Sequence, residues 1–225
     1  MISLAVFISG SGSNLQSIIN KIEDGSIHAE IKVVVSNNPE AYGLKRAEQH
    51  NLHSVVLEHT RFADRQAYER ELLRIVRDFK TDYVILAGFM RILSPYFIHE
   101  FQNRILNIHP ALLPSFPGLH AQAQAADYGV KVAGCTVHFV DEKMDHGPIL
   151  IQAALPVLPS EDGESLGKRI LKWEHKIYPQ AISWLAQNRV NLEGRKVIVK
   201  NAKTFFLGPA DDPVLISPGL EEKFF

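Results

Sequence analysis

The feature that most constrains the fold is an alternation of apolar and amphipathic segments in the first half of the chain. Short apolar runs of strand length are separated by segments whose apolar side chains recur at helical spacing. This pattern predicts strands at residues 2–8, 31–35, 53–57, 82–87 and 104–108, helices at 14–23, 41–50 and 65–80, and a helical turn near 95–100. Asp64 is a candidate N-cap for the third helix, whose apolar stripe comprises Tyr68, Leu72, Ile75, Val76 and Phe79. Such alternation is typical of a parallel sheet with helices on both faces.

The second half of the chain changes pattern. Residues 130–140 and 149–157 form two long β-type segments joined by a charged turn, and residues 165–187 return to helical spacing. Pro179 is expected to kink that helix or divide it in two. Three prolines after residue 201 exclude a long helix there, so short strands or coil are expected. The predicted fold class is α/β, a Rossmann-like doubly wound and mostly parallel sheet with an antiparallel C-terminal extension.

Composition excludes several function classes. The 225 residues carry 24 Lys and Arg against 25 Asp and Glu, a formal net charge of −1, so no general field attracts a nucleic acid. The single Cys135 excludes an internal disulfide framework and fits a reducing cytoplasm. No apolar run reaches the roughly 18 residues of a membrane span, and the first one ends after Ile8. We therefore expect a cytoplasmic protein with neither nucleic-acid nor membrane partners.

A glycine-rich turn, residues 10–14, lies between the first predicted strand and the first predicted helix. Backbone N–H groups at such a turn can bind an anion, and the helix N-terminus favours negative charge. A dinucleotide motif would need glycine where Leu15 stands, and a triphosphate loop would need Gly-Lys-Ser/Thr. Two interpretations remain: a site for a monophosphate, or a tight turn without a ligand.

Asn107 and His109 stand at the end of the fifth predicted strand, before a proline-rich loop. Because strand side chains alternate with period two, both should project from the same face at the ligand edge of the sheet. Together they form a donor pair for a developing oxyanion. Asp145, on the turn before Gly147, could support the imidazole or accept a proton, although Asp before Gly-Pro is often only a turn residue.

Other chemistries lack their sequence signals. No His or Cys residues fall at metal-ligand spacing, so no metal is expected. There is no Gly-x-Ser-x-Gly motif for a nucleophilic serine. Cys135 lies inside a β-type segment, where packing is a better explanation than nucleophilic catalysis.

Four segments together resemble the phosphoribosylglycinamide formyltransferase family of purine biosynthesis: residues 9–15 (SGSGSNL), 86–94 (LAGFMRILS), 106–110 (LNIHP) and 145–148 (DHGP). The resemblance extends in order from Met1 to about Val190. It implies that a formyl group passes from 10-formyltetrahydrofolate, as cosubstrate, to the amine of glycinamide ribonucleotide. It further implies a formyltransferase-type catalytic domain over residues 1–200, with a nucleotide-phosphate half at about 1–100, a folate and catalytic half at about 101–200, and a tail at 201–225.

The resemblance also assigns site residues. The catalytic residues are Asn107, His109 and Asp145. The nucleotide-binding residues are Gly12, Ser13, Asn14 and Glu174, and the folate-binding residues are Arg65, Met90, Arg91, Ile92, Leu93, Asn107, Val140 and Asp141. Two segments depart from the family pattern: Ala121-Gln122-Ala123-Gln124 replaces a segment with further His and Arg, and Asp145-His146-Gly147 replaces the commoner Asp-Gly-Gly.

The resemblance leaves rival functions open. Methionyl-tRNA formyltransferase would carry a basic C-terminal domain, for which the roughly 35 residues after Val190 are too few. Formyltetrahydrofolate hydrolase would carry an N-terminal regulatory domain, yet the first strand begins at Ile2. A non-catalytic nucleotide- or folate-binding module would need only the turn and the pocket. We expect small-molecule partners only, in a monomer or homodimer.

Overall fold

The computed structural model describes residues 1–225, which divide into two compact units. The first unit comprises Met1–Asn107 with Val140–Glu142, and the second comprises Ile108–Phe139 with Lys143–Phe225. The division falls inside strand β5, Ile105–His109, between Asn107 and Ile108.

The first unit contains a parallel sheet. Its strands are β1 (Ile2–Ile8), β2 (Ala29–Ser36), β3 (Ser54–Val56), β4 (Tyr83–Leu86) and the start of β5. They pair in the order β5-β4-β1-β2-β3, and every neighbouring pair is parallel. The order reverses at β1, as in doubly wound sheets, where ligands bind beyond the carboxyl ends of the strands.

The helices of this unit are α1 (Ser13–Glu23), α2 (Tyr42–Gln49), α3 (Arg65–Asp78) and α4 (Pro95–Glu100), with a 3₁₀ turn at His59–Arg61. Asp64 begins α3 by accepting the backbone N–H of Ala67 at 2.7 Å, which supplies the expected N-cap. Leu72 and Val76, on the predicted apolar stripe of α3, are fully buried in the core beside Phe7 and Phe97.

The second unit is built around antiparallel strands. Strand β6 (Val132–Phe139) pairs with β7 (Ile149–Pro156), which also pairs with β11 (Leu215–Ser217), and β11 pairs with β10 (Phe206–Leu207). A separate hairpin joins β8 (Val190–Glu193) to β9 (Lys196–Val199), and the helices are α5 (Ala121–Tyr128), α6 (Gly163–Ala186) and a 3₁₀ turn at Glu222–Phe224. These two units confirm the predicted α/β fold class with an antiparallel C-terminal extension.

Helix α6 excludes one of the two outcomes expected at Pro179. The structure contains a single helix that continues through Pro179, so the proline does not divide it. A mutual cap between Asp162 and Ser165 starts the helix. Proline inside a helix costs roughly 3 kcal/mol, but residues 177–185 are all buried, and their packing offsets that cost. No helix of the protein combines the length and apolar character needed to cross a membrane.

The C-terminal tail packs against α6. Leu220 and Phe224 are buried, and the Glu221 carboxylate accepts hydrogen bonds from Trp184 Nε1 at 2.8 Å and Arg189 Nη1 at 2.7 Å. The tail therefore belongs to the folded second unit, with the short strands expected from its prolines.

Cys135 is fully buried in strand β6, opposite Ala153. Burial raises the pKa of the Cys135 thiol well above its ordinary value, and the nearby Glu174 carboxylate adds to the effect. Because only the thiolate reacts, we expect the native protein at pH 8 to react with iodoacetamide at least about 100-fold more slowly than the protein in guanidinium. Incorporation can be counted against the single cysteine by mass spectrometry. Equal rates in both conditions would contradict this burial.

Candidate active site

The glycine-rich turn between β1 and α1 has a backbone that only glycine fits. Gly12 adopts φ of 68°, and a Cβ placed there would lie 2.5 Å from the Cα of Gly43 at the start of α2. Gly43 also donates its N–H to the Gly10 carbonyl at 3.0 Å. The turn is thereby held at the N-terminus of α1, where Ser13 and Asn14 begin the helix and an anion would be favoured.

A cation that sequence analysis missed stands beside this turn. Arg46, on α2, donates from Nε to the Ser11 carbonyl at 2.9 Å and from Nη1 to Gln16 Oε1 at 3.1 Å. Its positive charge adds to that of the helix N-terminus. The sequence offered no signal for Arg46, because its approach to the turn depends on how α2 packs.

Ser9, the last residue before the turn, joins the turn to the segment that the family resemblance assigns to folate. Its hydroxyl donates to Asn37 Oδ1 at 2.5 Å and accepts the backbone N–H of Met90 at 2.7 Å. The side chains of Met90 and Ile92 are exposed, at 60% and 61% respectively. This segment therefore presents apolar side chains at the carboxyl end of β4.

A buried carboxylate fixes the other end of that segment. Glu69 is 1% exposed and accepts the backbone N–H of Ser94 at 2.7 Å and the Arg65 Nε–H at 3.2 Å. Arg65 also donates from Nη2 to the Ile92 carbonyl at 2.5 Å. Residues 90–93 are thus held at one end by the Ser9 hydroxyl and at the other by the Glu69 carboxylate. In the sequence, Glu69 resembles an ordinary solvent-facing helix residue, so its role was missed.

The remaining predicted folate residues of the first unit lie on or beside β5. Val140 donates its backbone N–H to the Ile105 carbonyl at 2.9 Å and packs against the unit's apolar core. Asp141 follows it, and both belong to the first unit. Asn107 is half-buried on β5, opposite Leu86 of β4. Asn107 therefore lies level with the carboxyl end of β4, whereas Val140 lies beside the first residue of β5.

In the second unit, His109 is held between two oxygen acceptors. The side chain is buried, its Nε2 lies 2.8 Å from the Phe116 carbonyl oxygen, and its Nδ1 lies 3.4 Å from Asp145 Oδ2. Both ring nitrogens therefore face oxygen atoms. The Phe116 contact fixes the orientation of the ring, whereas the Nδ1 distance exceeds that of a good hydrogen bond.

Asp145 occupies a turn with a left-handed backbone, φ 49°. Its Oδ2 accepts the backbone N–H of Gly118 at 2.8 Å, and its Oδ1 lies 3.8 Å from His138 Nε2. The structure therefore brings together the two second-unit residues, His109 and Asp145, that sequence analysis assigned to catalysis. Their roles stay predictions.

His138 and the contacts that the proline-rich loop makes with the site were not identified from the sequence. His138 is 1% exposed on β6, two residues after the buried Thr136. Thr136 Oγ1 donates to the Ala111 carbonyl at 2.7 Å and accepts the Leu113 N–H at 3.1 Å, which fixes the loop that supplies the Phe116 and Gly118 contacts. The one available signal was the pair of buried polar residues at alternate positions of an apolar strand.

Glu174, the predicted nucleotide residue of the second unit, lies buried on α6. Residues 121–124, the segment that departs from the family pattern, form the first turn of α5. A Cβ on Gly163 of α6 would lie 2.6 Å from the Cα of Ala123, so small residues allow close packing there. The structure shows no group of three or more His, Cys, Asp or Glu side chains placed to hold a metal ion.

Comparisons with known proteins agree with these features. Residues 2–182 match the family model described as formyl transferase. The chain is 50% identical over 184 residues to the trifunctional purine biosynthetic protein adenosine-3 of Drosophila melanogaster, covering 81% of this chain but only 14% of that protein. It is 43% identical over 190 residues to the phosphoribosylglycinamide formyltransferase of Escherichia coli, covering 84% of this chain and 90% of that protein.

The fold is shared with solved structures as well. The crystal structure of glycinamide ribonucleotide transformylase 1 from Symbiobacterium toebii superposes with a TM-score of 0.87 at 47% identity, covering 88% of this chain and 94% of that one. The sequence motifs, the strand order and these similarities all indicate the same family. The chain belongs to the formyl transferase family, which confirms the family resemblance of its motifs.

Proposed function

We propose that this chain transfers the formyl group of 10-formyltetrahydrofolate to the amine of glycinamide ribonucleotide, in purine biosynthesis. The names of the relatives at 43% and 47% identity support this substrate pair. The observation that carries the chemistry is the buried His109 ring, oriented by the Phe116 carbonyl and faced by the Asp145 carboxylate. This arrangement suits acyl transfer, in which charge develops on a carbonyl oxygen and a proton leaves the nucleophile.

The proposed reaction begins with attack of the substrate amine on the formyl carbon. A new C–N bond forms, and the formyl oxygen becomes an oxyanion. Asn107 and protonated His109, two residues apart on β5, donate hydrogen bonds to that oxyanion. His109 donates from Nδ1, because Nε2 is held by the Phe116 carbonyl and the 3.4 Å distance from Nδ1 to Asp145 is too long for a good hydrogen bond. The oxyanion then collapses and the bond to the folate N10 breaks. The amine loses one proton and N10 gains one, so the transfer is balanced.

Asp145 has two proposed roles, to place a negative charge beside His109 and to accept the proton of the substrate amine. Its carboxylate lies 3.4 Å from His109 Nδ1, so it places a negative charge beside the ring. It also serves as the anionic acceptor for the proton that leaves the amine, directly or through water. The Gly118 N–H holds one carboxylate oxygen, so this acceptor keeps a fixed direction.

The two substrates use different groups of residues in this proposal. Gly12, Ser13 and Asn14 bind the phosphate of the nucleotide, with Arg46 adding positive charge, and Glu174 binds the glycinamide part. Arg65, residues 90–93, Asn107, Val140 and Asp141 bind the folate. The exposed apolar side chains of Met90 and Ile92 suit a flat heterocycle, and the carbonyl groups of their segment can accept its N–H groups.

Replacing Asn14 with alanine should raise the KM for glycinamide ribonucleotide about ten-fold and leave kcat within about two-fold. A phosphate contact is made equally in the ground and transition states, so its loss weakens binding without slowing the chemical step. Steady-state kinetics with each substrate varied separately measures this effect, and Ser13→Ala should act in the same direction. A raised KM for the folate instead would reverse the two assignments.

A single assay separates this proposal from its alternatives. The purified protein is incubated with 10-formyltetrahydrofolate, with and without glycinamide ribonucleotide, and both products are quantified by mass spectrometry. We expect the formylated nucleotide and the deformylated folate in equal amounts, and neither product without the amine. Deformylated folate in its absence would favour a hydrolase. Formylation of methionyl-tRNA would favour that transferase, and no turnover would favour a binding module.

We also propose the partners and the cell compartment of the enzyme. Small molecules are its partners, with no nucleic acid or membrane, in the cytoplasm, where a single reduced cysteine is stable. Sedimentation equilibrium distinguishes monomer from homodimer.

A further inference from the structure

The turn that carries Asp145 is held in an unfavourable backbone conformation. Asp145 has φ of 49°, a left-handed value that residues with a Cβ rarely adopt. Such a conformation persists only where the surrounding contacts hold it. On one side, the Gly118 N–H donates to the Asp145 carboxylate at 2.8 Å. That contact fixes the side chain but not the peptide that follows it.

The following peptide is held by an arginine from a separate hairpin. Arg195 lies at the β8–β9 turn, directly after Gly194, and its Nη2 donates to the His146 carbonyl oxygen at 2.6 Å. Its Nη1 lies 3.2 Å from Nδ1 of the His146 ring. The ring nitrogen accepts in this contact, because a guanidinium has only donors. Two contacts from one rigid group therefore fix the residue next to Asp145.

We propose that Arg195 is a positioning residue, which holds the turn of residues 144–147 so that the Asp145 carboxylate faces His109. This inference rests on the function proposed above. The chain has His146 where its family commonly has glycine, and a glycine offers no side-chain acceptor. The histidine ring and the arginine thus form a pair by which this chain restrains a turn that would otherwise be more mobile.

The guanidinium suits this role better than an ammonium group. Its planar, rigid donors reach the carbonyl and the ring at once, whereas the single nitrogen of lysine can serve one of them. Arg195 touches no reacting group, so its effect on catalysis passes through Asp145. A small displacement of a catalytic group can slow turnover greatly, even when substrate binding is unchanged.

The test compares Arg195→Ala, Arg195→Lys and a matched control, Lys196→Ala, which removes an exposed cation from the next position of the same hairpin. We expect Arg195→Ala to lower kcat about ten-fold, with the KM for glycinamide ribonucleotide within about two-fold of wild type. Arg195→Lys should recover part of kcat. Lys196→Ala should match wild type in both constants, and the melting temperatures of the two alanine variants should agree.

A second measurement does not depend on activity. The amide resonance of Gly118 reports its hydrogen bond to the Asp145 carboxylate, and it should shift in Arg195→Ala but not in Lys196→Ala. An unchanged Gly118 resonance would overturn the positioning role, as would a kcat equal to that of the control. A wild-type protein that forms no formylated nucleotide would refute the proposed function, while the Gly118 resonance would still decide the role of Arg195.

Discussion

Replacing His109 with alanine should lower kcat by about two to four orders of magnitude, the largest effect expected of any single substitution in the protein. The change removes a donor to the oxyanion and the cation that faces Asp145. It also leaves the Phe116 carbonyl without its ring partner, so the free energy of unfolding should fall by about 1–3 kcal/mol. Steady-state kinetics and circular dichroism of the purified variant measure both effects.

The matched control is His28→Ala, because His28 is exposed and belongs to neither predicted binding group. Its kcat should stay within about two-fold of wild type. A folded His109→Ala protein with the turnover of the control would remove His109 from the mechanism.

Replacing Asp145 with asparagine should lower kcat by about two to three orders of magnitude and leave the KM for the nucleotide nearly unchanged. Asparagine keeps the size of the side chain and can still accept the Gly118 N–H through its amide oxygen. It carries no negative charge, so it neither stabilises the imidazolium of His109 nor accepts the proton of the amine. The loss should therefore appear in the chemical step.

Asp127→Asn provides the control for charge removal, since Asp127 is exposed on α5 of the same unit. Full turnover in Asp145→Asn would make Asp145 only a turn residue, and the proton would need another acceptor.

The sequence predicted the elements of the sheet because local patterns determine them. Apolar runs marked β1, β2, β4 and β5, and Asp64 marked the start of α3, since these signals depend on residues close together in the chain. The same locality left two outcomes open at Pro179. Its local effect is to interrupt a helix, yet the buried side chains that surround it maintain α6 through contacts distant in sequence.

The candidate site was predictable where chemistry and spacing coincide. Asn107 and His109 share one strand face, and Asp145 marks a polar turn after a long β segment. Four further residues depend on tertiary packing: Arg46, Glu69, His138 and Arg195. Each reaches its partner from another element, as Arg195 does across 49 residues to His146, and no periodicity in the sequence indicates such approaches. The Phe116 carbonyl is a backbone group and carries no side-chain signal at all.

The central claim is that His109 and Asp145 act as one unit in formyl transfer. The most direct test is kcat for glycinamide ribonucleotide in His109→Ala, Asp145→Asn and the double variant. Effects of residues that act together are strongly non-additive, so we expect the double variant to be no more than about three-fold slower than His109→Ala alone. If the two losses multiply in the double variant, the residues act independently, and the proposed pairing of imidazolium and carboxylate is contradicted.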